Sequence, residues 1–354
     1  MKRKTHQGFS KSRILIVSAV VIVIIAFSVV AARYYNRILA PNVKPEGKQP
    51  ADLYIYTGST LDDVVQTLRD SNLIRNPDSF LWLARRKNYD SHINPGHYVI
   101  IPGMNNNELI NLLRSGRQKP VDVTFTNVRT IPVLAAVVSS QLEADSASVV
   151  RLLHDEHFLS SIGMNRRTIP GLFIPNTYEF YWNTGARGFV ERMKKEYDLF
   201  WQGSRKEKAE KIDLTPVEVS TLASIVDEET NMTDEMPRIA GVYINRNKRR
   251  IPLQADPTVR FALEDFSIRR VLRKQLEIDS PYNTYKFAGL PPGPIRIPSI
   301  AAIDAVLNYE HHNYYYFCAK SDFSGYHVFA RTLTQHNQNA RLYQKALNRR
   351  KILK

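Results

Sequence analysis

The 354-residue chain holds a single cysteine, Cys318, so no internal disulfide can staple it, and any exported part must be held by its core alone. No cluster of Cys and His has the spacing of metal ligands. His311 and His312 are adjacent and cannot share a helix face, so no metal site is expected. A glycine-rich phosphate loop is absent, and with it the usual signature of a nucleotide cofactor; none is expected. Acidic residues stop at Asp322, after which seven Lys and Arg follow. Charge of either sign is missing from residues 14–32.

That uncharged run of 19 residues matches the roughly 20 needed to cross a bilayer core. It exceeds the apolar region of a cleaved signal peptide, and Arg33, Tyr34 and Tyr35 directly after it suit an interfacial anchor. Lys2, Arg3, Lys4, Lys11 and Arg13 precede it against Arg33 and Arg37 just after it, which places the N-terminus in the cytoplasm. The expectation is an uncleaved span through the lipid bilayer, with everything from about residue 40 outside the cytoplasm. The formal charge of +15, from 49 Lys and Arg against 34 Asp and Glu, would otherwise raise nucleic acid as a partner. Export argues against it, and the basic tail is read as meeting anionic lipid or solvent.

With 43% apolar residues the chain can build two or three small domains. Pro41, Pro45 and Pro50 mark a linker over 33–51. Residues 53–57 read as a strand, Ser59 or Thr60 caps a helix bearing Leu61, Val64, Val65 and Leu68, Asn76 and Pro77 open another, and 97–101 form a second strand. This strand–helix–helix–strand order within 52–118 resembles a LysM module, a fold that binds N-acetylated glycans. Trp82 is read as core in preference to a sugar platform. Residues 119–213 form an intermediate α+β region with an aromatic cluster (Phe173, Tyr178, Phe180, Tyr181, Trp182) read as core packing. Residues 206–211 are read as a charged, exposed connection.

Residues 214–350 carry the chemistry. Thr215, Pro216 and Glu218 form a capping box, and Val219, Leu222, Ala223, Ile225 and Val226 make one apolar stripe. Three acids follow. On a wheel of about 100° per residue, Glu228 falls about 150° from the stripe, Asp227 about 110° and Glu229 only about 50°. Glu229 should therefore point inward, and the other two toward solvent or the flank. A carboxyl held against apolar neighbours is desolvated and its pKa rises, as a general acid requires. The alternative is a structural Glu paired with Arg238 or Arg246.

Downstream lie Asn245 and Arg246, then Gln254, Asp256, Pro257 and Thr258 in a segment with turn chemistry, and Tyr282, Asn283, Thr284 and Tyr285 in an uncharged polar loop. Gly289, Leu290, Pro291, Pro292 and Gly293 form a rigid loop whose glycines permit close backbone approach. Residues 314–319 and 327–329 pair as a hairpin about Ser324 and Gly325, and His336 and Asn337 follow. An inward acid among neutral hydrogen-bonding side chains and aromatics suits a carbohydrate.

In this order and spacing, these motifs, with Leu222 to Val226 ahead of Glu229 and Thr230, resemble the YceG-like endolytic murein transglycosylase family along nearly the whole chain. The resemblance implies an α+β protein with one N-terminal transmembrane helix, a LysM-like subdomain and a catalytic domain. It implies cleavage of peptidoglycan glycan strands without water, Glu229 as the essential acid, and peptidoglycan synthases of the elongation machinery as partners. Gln254, Asp256, Thr258, Tyr282, Asn283, Tyr285, His336 and Asn337 are the candidate glycan contacts. Asp256 either supplies a second carboxylate or forms a turn with Pro257, the reading favoured here. The family usually has Glu in place of Asp227, Lys in place of Glu228 and Ser or Thr in place of Ala255. The last change removes a hydroxyl expected at the cleft.

Overall fold

The computed structural model describes residues 11–44, 49–268 and 270–350. The basic residues Lys2, Arg3 and Lys4 and the linker residue Pro45 lie outside them. The architecture is mixed α+β, with strands only in two-stranded sheets among the described residues, and the chain divides into two units.

The first unit spans residues 1–121 with 181–183. It opens with α1 (Lys11–Ile38), 28 residues with no buried side chain, long and apolar enough to cross a membrane. Next come β1 (Ala51–Ile55), α2 (Leu61–Asp70), α3 (Pro77–Arg86), β2 (Gly96–Ile100) and α4 (Asn106–Ser115). β1 and β2 pair antiparallel, Leu53 opposite Tyr98, so the order strand–helix–helix–strand is as read. The helix ends are set locally. Thr60 caps α2 in a reciprocal box with Asp63, Asn76 caps α3 ahead of Pro77, and Gly116 ends α4 in the left-handed region at φ 64°. Leu61, Val64, Val65 and Leu68 are buried against Leu53, Ile55, Phe80 and Tyr98. The linker is partly docked: Pro41 bridges to Asn105 and Val43 to Ile74. Trp82 is only partly buried, covered by Tyr34 at 5.7 Å and by the guanidinium groups of Arg37 and Arg86 at 5.0 and 4.4 Å.

The second unit holds residues 122–180 and 184–354. Its elements are β3 (Val121–Phe125), α5 (Ile131–Ser139), α6 (Ser146–Leu152), α7 (Glu156–Ser161), β4 (Asn176–Phe180), α8 (Ala186–Phe200), α9 (Ser204–Lys211), α10 (Pro216–Glu229), α11 (Met236–Lys248), α12 (Asp256–Ala262), α13 (Ile300–Leu307), β5 (Tyr316–Ala319), β6 (His327–Ala330) and α14 (Leu333–Arg349). Phe173, Tyr178 and Phe180 are buried with Phe125 and Phe189, so this part of the aromatic cluster is core, while Tyr181 is 56% exposed. The charged stretch before Ile212 is a helix, α9, because Ala209 inserts into the core and Lys206 lies 3.9 Å from Glu210 one turn on.

α10 positions the site. Its cap is a full box: Glu218 N–H donates to Thr215 Oγ1, and Thr215 N–H to Glu218 Oε2. The helix packs on α9, α11, α12 and α13, so Ser220, Thr221 and Ser224 are buried as well as the apolar stripe. The rigid loop reaches it directly, Ile295 N–H donating to Ser224 Oγ at 3.0 Å. A Cβ at Gly293 would meet the Arg167 carbonyl oxygen at 1.9 Å, so only glycine fits there.

Candidate functional site

Three carboxylates in the last turn of α10 oppose its dipole, and the fold treats them differently. Asp227 accepts from Ser299 N–H (3.0 Å) and Oγ (2.8 Å), with Arg296 Nε 3.5 Å away. Glu228 accepts from Arg129 Nη2 at 2.7 and 2.9 Å and from Arg296 Nη1 at 2.8 Å. Arg296 is further held by Asn127. Both side chains are 10% exposed. The expectation that they face solvent is corrected: α10 is wrapped nearly all round, and two arginines offset the charge that packing draws inward.

Glu229 has no such cation. Among the described residues no ion pair is made to it; Arg238 pairs with Glu310 and Arg246 with neutral oxygens. Its partner is Tyr243 on α11, whose hydroxyl donates to Glu229 Oε1 at 2.6 Å. Burial pushes the Glu229 pKa upward; the Tyr243 hydrogen bond opposes this, the Asp256 charge adds to it, and His327 and Arg260 oppose it weakly. Burial, then the Glu229 charge, drives the Tyr243 hydroxyl well above its ordinary value, so it stays a donor.

Glu229 opens onto a cleft of about 460 Å³ within the second unit. α11 contributes Tyr243 and Arg246, the segment before α12 Gln254, the start of α12 Asp256, and the hairpin Tyr316, Phe317 and His327. The hairpin is in the expected place, Phe317 opposite Phe329. His327 is fixed by Glu235, which accepts from its backbone N–H at 2.8 Å and lies 2.7 Å from Nδ1.

Of the candidate contacts, Gln254, Asp256, Tyr285 and His336 line this cleft with Glu229. Gln254 adopts φ 53°, a left-handed conformation that sets the bend before α12. Asp256 is the first residue of α12, not part of a free turn, and its Oδ1 accepts from Tyr285 Oη at 2.5 Å. Its carboxylate therefore faces the site, against the reading that confined it to a turn. His336 stacks on Tyr316 at 5.4 Å; burial and the nearby Arg246 charge lower its pKa.

The other four lie elsewhere. Thr258 is fully buried, with its hydroxyl on the Ala255 carbonyl (2.7 Å) and on Thr284 (2.8 Å). Asn283 is fully buried, donating to the Leu276 and Ile278 carbonyls and accepting from Tyr285 N–H. Both hold the loop that carries Tyr285, and their hydrogen-bonding capacity is spent there. Tyr282 packs on Phe261 at 4.6 Å, and Asn337 is exposed on the outer side of α14. Ala255 is fully buried too, its N–H bonded to Thr284 Oγ1, so its missing hydroxyl is not a loss at the cleft surface.

Sequence reasoning missed Tyr243, Arg246 as a wall of the cleft, and the His327–Glu235 pair. Tyr243 had one signal: a hydroxyl within the apolar run of Ile239, Ala240, Val242 and Ile244 needs a partner if buried.

A profile of the YceG-like family matches residues 53–342. An endolytic murein transglycosylase of Bacillus subtilis is 29% identical over 330 residues, covering 89% of this chain and 90% of that protein. One from Streptococcus pneumoniae is 26% identical over 84% of this chain, which spans 59% of that longer relative. The crystal structure of a YceG-like protein from Listeria monocytogenes aligns with 82% of this chain and 99% of its own, with a TM-score of 0.56 at 27% identity. With over four fifths of its length matched by that profile, the chain belongs to the YceG-like family.

Proposed function

We propose that this protein is a membrane-anchored endolytic lytic transglycosylase of peptidoglycan. It cuts the β-1,4 bond between N-acetylmuramic acid and N-acetylglucosamine within a glycan strand. The observation that carries the reading is Glu229: a carboxyl that makes no ion pair among the described residues, desolvated at the wall of a cleft, with Oε1 occupied by Tyr243. A proton on this group then belongs on Oε2.

Glu229 donates that proton to the glycosidic oxygen as the C1–O bond of the muramoyl residue breaks. The muramoyl C6 hydroxyl then bonds to C1, and the Glu229 carboxylate takes its proton. The acid is restored, no water is consumed, and the new end is a 1,6-anhydro sugar. One carboxyl suffices because the nucleophile belongs to the substrate itself. Gln254, Asp256, Tyr285 and His336 would grip the glycan, and Tyr316 and Phe317 offer ring faces for sugars. Thr258 and Asn283 would support this surface from beneath.

Asp256 favours a second reading. A carboxylate in the same cleft as Glu229 is what a water-using muramidase needs. Mass spectrometry of the cut strands separates the two: anhydro ends support the transglycosylase, and reducing ends overturn it.

The apolar α1 supports an inner-membrane anchor with the N-terminus in the cytoplasm and the cleft outside. Protease added to spheroplasts should leave a short membrane-bound N-terminal fragment, and a mature N-terminus near Arg33 would refute the anchor. The βααβ unit would act as a LysM-like element that gives glycan affinity without chemistry. Terminating strands during elongation, beside the synthases that extend them, is the cellular role that fits such an anchored, endolytic cut.

A further inference from the structure

Two arginines are buried among the described residues, Arg246 at 6% and Arg296 at 9% exposure. Arg296 is matched by Asp227 and Glu228. Arg246 has no carboxylate within ion-pair distance among the described residues. Its Nε donates to the Tyr315 carbonyl at 2.6 Å. Its Nη1 serves the Pro252 and Leu253 carbonyls at 3.1 and 2.7 Å and Gln254 Oε1 at 3.3 Å. All four acceptors are neutral. Nη2 makes no hydrogen bond among the described residues, and the side chain forms part of the cleft wall that holds Glu229 and Asp256.

Withdrawing a cation from water is costly unless an anion or a full set of acceptors replaces the lost hydration. Holding the Tyr315 carbonyl uses Nε, and holding the segment 252–254 uses Nη1 only. The Nη2 edge is left over, at the site where a strand would lie. Tyr316 lies 5.0 Å over the guanidinium and keeps its plane in place. A planar donor edge of this kind matches the oxygens of an acyl or carboxylate group.

We infer that Arg246 is a substrate-recognition residue whose Nη2 edge takes an acyl oxygen carried by the amino sugar seated beside Glu229. The inference rests on the glycan-cleaving reading of the cleft. Murein offers two sources of that chemistry. One is the N-acetyl carbonyl of either sugar. The other is the lactyl acyl group of the muramoyl residue, an amide when it bears a stem peptide and a carboxylate when stripped.

The test measures binding by the full-length E229Q protein, so that affinity is read apart from turnover. Three uncrosslinked glycan polymers are compared: intact, stripped of stem peptide, and N-deacetylated. Each is measured again with R246Q added and with R246K added, folding being followed by thermal melt. If the lactyl group is the ligand, stripped strands bind about tenfold more tightly than intact ones, the gain shrinks in high salt, and it vanishes with R246Q. If the N-acetyl group is the ligand, deacetylated strands bind about tenfold more weakly, and R246Q erases that difference. In both cases R246K, which keeps the charge without the planar fork, loses most of the discrimination. An equal loss on all three polymers would reduce Arg246 to a loop support and overturn the inference. So would indifference to both groups by protein that retains Arg246, a result independent of whether the arginine variants fold. Cutting by E229Q at close to the parent rate would instead refute the catalytic reading, because the binding comparison does not depend on turnover.

Discussion

The βααβ unit holds a closed network of buried amides, whereas the cleft of the second unit gathers ionisable side chains with hydrogen-bonding capacity to spare. In the first, Asn42 Nδ2 donates to Asn106 Oδ1 at 2.7 Å, and Asn106 Nδ2 to Ser79 Oγ at 2.9 Å and the Arg37 carbonyl at 2.8 Å. Its helix ends close on themselves, Thr60 with Asp63 and Asn105 with Glu108. These bonds hold the scaffold together. In the cleft, Glu229 lacks a cation, Arg246 lacks a carboxylate and His336 Nδ1 lacks a partner among the described residues. Polar groups kept out of water with capacity unspent cost stability. Buried polar atoms without a partner among the described residues also occur away from the cleft, Tyr89 Oη and Gln118 Oε1 in the first unit among them. The cleft differs in bringing a carboxyl, a guanidinium and an imidazole to one cavity that a ligand can enter.

The comparison breaks most visibly at Glu229. E229Q keeps size and one hydrogen-bond acceptor but cannot give and retrieve a proton. Strand cutting should fall by about 10²–10⁴-fold in a protein that still folds. The variant should also melt higher than the parent in alkaline buffer. The native pKa of Glu229 is raised, so its contribution to stability is complete below the unfolded value of about 4.3 and is lost as pH rises through the native value. Gln does not ionise and escapes that loss. A melting point lowered equally at acid and alkaline pH would make Glu229 a structural residue.

Y243F comes next. It should slow cutting by about tenfold, the worth of one hydrogen bond to a charged group. The direction of its pH shift is the sharper measurement. The Tyr243 hydroxyl holds the Glu229 pKa down against burial. Without it the pKa climbs further, and the alkaline limb of kcat/KM, where the acid loses its proton, moves to higher pH. An unmoved limb would show that this hydrogen bond leaves the reacting proton untouched.

E228Q should act on stability before rate. It weakens the contacts to Arg129 and Arg296, and with Arg129 37% exposed the cost should be about 1–3 kcal/mol, read as a lower urea midpoint. Full stability would show that the arginines do not hold the end of α10. Smallest is T60A in the first unit, which removes a helix cap and should cost about 1 kcal/mol with no change in cutting rate per folded molecule.

How much was legible follows the distance over which each feature is set. The apolar span, the caps at Thr60, Asn76 and Thr215, and the hairpin about Ser324 and Gly325 are local patterns. The caps and hairpin appear within a residue or two of their expected places, while the helix over the span 14–32 extends beyond it at both ends, to Lys11 and Ile38. The inward turn of Glu229 was legible because a helix wheel places a side chain relative to its own stripe. The same wheel failed for Asp227 and Glu228, since it assumes one wet face and α10 has almost none.

The sequence by itself determined the apolar span, the capped helices and the hairpin, that Glu229 turns inward on α10, and that no disulfide shares the work of the core. It did not mark α9 or α12, which read as a connection and a turn. Only the tertiary structure decided which groups answer those charges. Arg129 and Arg296 lie 99 and 68 residues from Glu228, and Tyr243 reaches Glu229 from the next helix. The tertiary structure also decided that Asn283 and Thr258 are spent inside the loop while Asp256 and Arg246 face the cleft. Caps and stripes are set by neighbours three or four residues away. A buried charge takes its partner from whatever element packing brings within about 3 Å, and the identity of that element is a property of the assembled core.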